Sequence, residues 1–164
     1  MTAFRTVKRG NLRLTGMDWL LAAVATWLVP GALGGLLVLP LFALDALGWV
    51  DGGGVGAGTP LGLVTTFGVL LFMAPLVTIF IVPLALLLGN LALRIGYGGW
   101  GTALCVAALA PAPFIASYAV AEPDPLLTLL VYWGIYAAPA LVHAAVLWFT
   151  IRLRRPEAIA PRAA

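Results

Sequence analysis

Residues 125–155 read PLLTLLVYWGIYAAPALVHAAVLWFTIRLRR. No Asp, Glu, Lys or Arg occurs from Pro125 to Ile151, and Arg152, Arg154 and Arg155 follow at once. About 20 apolar residues suffice to cross roughly 30 Å of hydrocarbon as a helix. In lipid every backbone N–H and C=O must be satisfied within its own segment, so this run reads as a transmembrane helix. Barrel strands would show short alternating segments, and none occur.

The same pattern extends outward. Uncharged runs cover 52–93 and 95–121, and a fourth lies between Asp18 and Asp45. Helix-start signals agree. Thr15-Gly-Met-Asp18 has the form of a capping box. Thr59-Pro60 and Asp124-Pro125 each set a cap before a first-turn proline. Gly98-Gly99 precedes a start near Trp100. The expected architecture is an all-α polytopic membrane protein, a four-transmembrane-helix bundle with spans near 17–45, 60–93, 99–120 and 125–152. Residues 1–16 and 153–164 form basic tails, the stretch from Pro156 onward being expected to lack order.

Composition agrees with that frame. Of 164 residues, 63% are apolar and 9% charged, against about 25% charged in a soluble domain. Mean hydropathy is +1.08. These values exclude a soluble enzyme, a nucleic-acid-binding domain and a disordered chain. A cleaved signal peptide is the other reading of the first apolar stretch. However, the run continues through Leu47 and no small-residue cleavage site closes it, so it reads as a permanent span. The arginine-for-lysine bias on an Ala/Gly/Leu background reads as a GC-rich bacterial genome.

Charge sets the orientation. With four spans and a cytoplasmic N-terminus, the inner parts hold Arg5, Lys8, Arg9, Arg13, Arg94, Arg152, Arg154, Arg155 and Arg162, which are all nine basic residues. The outer loops hold Asp45, Asp51, Glu122 and Asp124. This satisfies the positive-inside rule, and an odd span count would strand one basic tail outside. The expected location is the bacterial inner membrane with both termini inside. The N-terminal tail is expected on the anionic leaflet, and Arg94 is expected to snorkel from the end of span two. Prolines interrupt every span: Pro30 and Pro40, Pro75 and Pro83, Pro111 and Pro113, and Pro139. Each removes one backbone bond and favours a kink. No internal repeat supports an inverted-repeat transporter.

His143 is the sharpest candidate for chemistry. It lies about 7 Å from the middle of its span toward the cytoplasm, and ionisable residues at such depth default to function. Thr128, Tyr132, Tyr136, Pro139, His143 and Thr150 fall on one helical stripe. One reading is a proton relay or ligand site. The other, preferred because no acid sits at comparable depth, is a histidine that glues helices by bonding a tyrosine or a proline-freed carbonyl. Gly31 and Gly35 form a small-xxx-small pair for close helix packing. Residues 51–59 are a glycine-rich linker that lacks the Lys-Ser/Thr of a phosphate loop. Cys105 reads as a small buried hydrophobe. The deep Trp27 and Trp133 read as lipid-facing packing or the wall of a lipophile groove.

One cysteine and one histidine provide no disulfide, metal set or axial haem pair. No nucleophile–base grouping or soluble domain exists to host catalysis. No cofactor and no catalytic role are therefore expected. The leading functional reading is a non-catalytic accessory or assembly subunit of a larger inner-membrane complex, with membrane lipids and other integral subunits, or copies of itself, as partners. The second is a small homo-oligomeric channel or transporter built around His143. The third is a lipid-, quinone- or pigment-binding membrane protein.

Overall fold

The computed structural model describes residues 3–49, 59–79, 81–121 and 125–160. The expected cap at Asp124, most of the glycine-rich linker, Asp51, Glu122 and Arg162 lie outside them. The described residues are helical, with turns and no strand. A short 3-10 turn, Gly10–Arg13, precedes α1 (Gly16–Ala46). Then come α2 (Pro60–Val77), α3 (Ile81–Ile95), α4 (Trp100–Leu109), α5 (Ala112–Ala121) and α6 (Leu126–Arg154), and a final 3-10 turn, Pro156–Ala158. Three stretches are long and apolar enough to cross a membrane: Gly16–Ala46, Trp100–Ala121 and Leu126–Arg154.

The segment expected as one long second span is two helices. Leu61–Leu76 and Ile81–Ile95 meet at 87°. α2 ends between Pro75 and Pro83, where neither proline can donate the backbone bond that would carry the helix through. The third stretch also breaks, at Ala110-Pro111, between α4 and α5. In contrast, α1 continues past Pro30 and Pro40, and α6 past Pro139.

Helix α1 starts on the expected capping box. The Asp18 amide donates to Thr15 Oγ1 at 3.3 Å, and the Thr15 amide donates to Asp18 Oδ2 at 2.9 Å. The Thr59 hydroxyl likewise accepts from the Gly62 amide at 2.9 Å to start α2.

The tightest packing joins α1 to α2. The buried face of α1 carries Thr26, Pro30, Gly31, Gly34, Gly35 and Val38. That of α2 carries Gly62, Thr65, Gly68, Leu71 and Ala74. Contacts that ascend α1 descend α2, so the two run antiparallel. Gly31 meets the Pro75 ring, Gly34 meets the Leu71–Phe72 backbone, and Gly68 meets Val38. Small residues let these backbones touch, which is how helices gain van der Waals contact where lipid offers no hydrophobic drive.

At the other end of α1 a second core forms from Ala22, Leu93, Ile151 and Ile159. Ile159 belongs to the tail expected to lack order. Instead residues 156–160 fold back: Ala158 is fully buried and Ile159 is 7% exposed. Ala158 lies against Gly10, where a Cβ would collide with the Ala158 carbonyl oxygen. The Val7 amide donates to Ala160 O at 2.9 Å. Burial of Ile159 in an apolar core, which stabilises by about 1.5–3 kcal/mol for a side chain of its size, offsets part of the cost of ordering the segment, about 1–2 kcal/mol per residue.

Candidate functional site

Two clusters of polar side chains stand out, one within the spans and one at the end where the basic residues gather. The intramembrane cluster is the stripe on α6. Tyr132 meets Tyr118 of α5 edge to face, with ring centroids 5.5 Å apart, and Tyr136 meets Phe114 at 5.2 Å. Thr128 is half-buried one turn before Tyr132. Thr150 returns its hydroxyl hydrogen to Val146 O at 2.8 Å, a local back-bond that removes the cost of a buried hydroxyl. The N-terminal half of the stripe therefore packs on α5 through Tyr132 and Tyr136, and Thr150 bonds its own helix.

His143 is half-buried. Its Nδ1 lies 2.8 Å from Pro139 O. A carbonyl only accepts, so Nδ1 carries the hydrogen. The carbonyl freed by Pro139 belongs to Ile135, four residues earlier, so the bond is to a neighbouring carbonyl of the same turn. Nε2 is buried and finds no partner among the described residues. The described residues hold no grouping of three His, Cys, Asp or Glu side chains that could ligate a metal.

Both deep tryptophans hold carbonyls at helix breaks. Trp27 Nε1 donates to Pro75 O at 2.7 Å, in the last turn of α2. Trp133 Nε1 donates to Ala108 O at 2.9 Å, in the last turn of α4. Carbonyls at helix ends lack intrahelical donors, and in lipid no water supplies one. At the end of α2 the Thr78 hydroxyl donates to Ala74 O at 2.7 Å, beside the Thr78 amide that bonds the same carbonyl at 2.8 Å. Cys105 is exposed on α4 and not buried as expected. A thiol is apolar enough to face the outside of a span.

The second cluster centres on Asp18, which is 2% exposed. Its Oδ1 accepts from Arg154 Nε at 3.3 Å, and Oδ2 from Arg155 Nε at 3.0 Å. Oδ2 also accepts from the Thr15 amide and hydroxyl, at 2.9 and 2.8 Å. A buried carboxylate is tolerated only when its oxygens are met in this way. The hydrogen bond to Asp18 raises the Arg155 guanidinium above its ordinary value. Arg155 Nη1 also comes within 3.9 Å of Glu157. Arg13 donates to Glu157 O at 2.9 Å, and Arg152 lies 5.0 Å from the Trp148 ring centroid.

The N-terminal segment joins this end through the α3–α4 turn. The Thr6 amide donates to Gly96 O at 2.8 Å, the Arg9 amide to Arg94 O at 3.1 Å, and the Gly101 amide to Ala3 O at 2.7 Å. Arg5, Lys8, Arg9, Arg13 and Arg94 have exposed side chains there. Gly31 and Gly35 both face α2, but Gly34 between them makes the closest approach. The sequence reading missed Gly34, the Asp18 ion pairs and the tryptophan caps. Gly34 had a signal, since Gly68 sits mid-α2 with Gly62 and Thr65 at three-residue spacing, whereas the partners of Asp18 lie at the far end of the chain.

Set against known protein families, curated proteins and solved structures, the chain matches none.

Proposed function

We propose that this chain crosses a bacterial inner membrane four times, with both termini cytoplasmic, and serves as a non-catalytic accessory or assembly subunit of a larger membrane complex. The bent pair α2–α3 then counts as one span. The bonds from Val7 to Ala160, Thr6 to Gly96 and Arg9 to Arg94 support this topology, because they gather both termini and the α3–α4 turn at one end. The eight described basic residues lie in or beside those same segments.

The observation that carries the subunit reading is Gly134. On α1 and α2 the glycines at the helix contact are filled by the facing helix. Gly134 lies on α6, is exposed, and has no described residue packed within 4 Å of the place a Cβ would take. Glycine inside a helix costs about 1 kcal/mol relative to alanine, and no packing among the described residues accounts for it. A bare backbone patch at mid-span suits the close approach of a helix from another subunit. The most apolar windows of Trp100–Ala121 and Leu126–Arg154 are only 6% buried, leaving room for one.

The channel reading keeps one observation, the buried and unpartnered His143 Nε2. A cavity of about 30 Å³ lies between α2 and α6, lined by Leu63, Thr66, Phe67, Leu70 and Ile135 and not by His143. That holds one or two waters and offers them a single hydroxyl. The lipophile reading would use the ring faces of Trp27 and Trp133, whose Nε1 atoms are already bonded to backbone carbonyls.

The test is affinity purification of the tagged protein from native membranes in mild detergent, with mass spectrometry of what accompanies it. Stoichiometric recovery of other integral subunits is expected. Gly134→Leu should lose them while remaining folded, and His143→Ala should keep them. Recovery of this chain alone as a defined oligomer overturns the accessory reading, and proton flux abolished by His143→Ala in liposomes would establish the channel instead.

A further inference from the structure

At the basic end, the N-terminal segment and the α3–α4 turn enclose a cavity of about 280 Å³ lined by Arg5, Thr6, Lys8, Ile95, Gly96 and Tyr97. Its frame is held by backbone. The Thr6 amide donates to Gly96 O at 2.8 Å, and the Gly98 amide donates to Thr6 Oγ1 at 3.1 Å. Gly96 stands at φ +85°, which favours glycine. A Cβ there would lie 3.0 Å from Thr6 O and 3.2 Å from Lys8 Cγ, so the Lys8 stem rests on bare backbone.

Among the described residues the lining carries two cations, Arg5 and Lys8, and no carboxylate. Lys8 forms no ion pair among the described residues. The described acids at this end, Asp18 and Glu157, face Arg154 and Arg155 instead. Beside the cations stand Ile95, 52% exposed, and Tyr97, 43% exposed. An aliphatic side chain next to an amphipathic ring is the composition of a bilayer interface, where one end is apolar and the other wet.

We propose that this cavity binds a phosphate-bearing anionic group, Arg5 and Lys8 meeting the phosphate while Ile95 and Tyr97 meet the carbon skeleton attached to it. Arginine offers phosphate a planar fork of donors and lysine a compact charge. The volume falls just below the roughly 300 Å³ at which small-molecule pockets begin, so it admits a headgroup and not a whole lipid. Diffuse attraction to an anionic leaflet would be shared among all the basic residues. The cavity concentrates it on two. The site holds whichever complex the chain joins.

The test uses the purified full-length protein in mild detergent, titrated with phosphatidylglycerol or phosphatidylcholine and read by native mass spectrometry. One equivalent of phosphatidylglycerol should bind in preference to phosphatidylcholine. Lys8→Gln and Arg5→Gln should each weaken it about fivefold, the worth of one basic residue at a membrane surface. Arg94→Gln removes the same charge from the same end but off the lining, and should leave binding unchanged. Circular dichroism and gel filtration verify that each variant folds. Inorganic phosphate and glycerol phosphate then identify the source. Displacement supports a site for the phosphate group itself, free or lipid-borne, and retention of phosphatidylglycerol supports a lipid site that also uses the acyl stem. Equal binding of the two lipids, or an Arg94→Gln loss equal to that of Lys8→Gln, overturns the proposal.

Discussion

Gly34→Ala should loosen the α1–α2 contact, and the coordinates give the size of the effect. The added Cβ would overlap the Phe72 amide nitrogen and lie 2.6 Å from Gly68 O and 2.7 Å from Leu71 C. Side-chain carbons essentially never come closer than 3.0 Å, and ordinary contact begins at 3.4 Å. All three obstacles are backbone, so no rotamer can relieve them. Gly68 O alone requires the helices to part by roughly 0.8 Å, the gap between 2.6 and 3.4 Å, and the closer Phe72 nitrogen requires more. A separation of about 0.5–1 Å forfeits a quarter to a half of each dispersion contact along the seam, and overpacking of this kind costs about 1–3 kcal/mol. Alanine returns about 1 kcal/mol through helix propensity. Gly134→Ala isolates that return, because nothing lies within 4 Å of its Cβ. The difference between the two variants therefore reports the packing term alone. Unfolding in mixed detergent micelles, followed by circular dichroism, should place Gly34→Ala about 1–3 kcal/mol below Gly134→Ala. Equal stability of the two variants would refute the reasoning.

Two further outcomes are expected. Trp27→Phe should destabilise by about 0.6 kcal/mol, the average for hydrogen bonds between membrane helices, and by no more than the maximum of about 1.7 kcal/mol. Trp133→Phe should cost a similar amount, and the double variant should show the sum, since the two indoles serve separate breaks; a strongly non-additive double variant would contradict separate capping. Asp18→Asn keeps an acceptor for the Thr15 amide but loses the charge that holds Arg154 and Arg155. Hydrogen exchange should therefore quicken at Arg155 to Ala160 and at the Val7 amide, while the interior of α1 stays protected; unchanged exchange at Val7 would show that the tail is held by Ala158 and Ile159 alone.

How much of this could be read from the chain follows from the range of each interaction. The membrane helices were legible because lipid forces every backbone group to be satisfied locally, so apolar length alone reveals a span. The caps at Thr15 and Thr59 were legible for the same reason, since donor and acceptor lie three residues apart. The Asp18 ion pairs bridge 136 and 137 positions, and no local pattern announces them. The folded C-terminal tail was misread because Pro156 and the alanines near it resemble a solvated end, while its order depends on Gly10 lying opposite. The stripe on α6 was drawn as a geometric line, and a line does not say what it faces. Tyr132 and Tyr136 pack on α5, and His143 bonds its own turn.

The prolines show most clearly where local reading ends. Each of the four apolar segments contains at least one, yet only two of them break. Pro30, Pro40 and Pro139 lie inside continuous helices, so the missing N–H does not decide the matter by itself. Both breaks share a second feature. At each, an indole from another helix takes a carbonyl of the interrupted turn, Trp27 the Pro75 carbonyl and Trp133 the Ala108 carbonyl. In water any helix can end, because solvent accepts the orphaned groups. In lipid a helix can end only where protein supplies the donor. A proline makes a break cheaper by removing one bond that would otherwise be lost, and a tryptophan from a facing helix makes it tolerable. The donor can come only from an element already in place, so α1 must pack on α2, and α6 on α4, for the breaks to persist. The tertiary contacts therefore fix where the secondary structure stops.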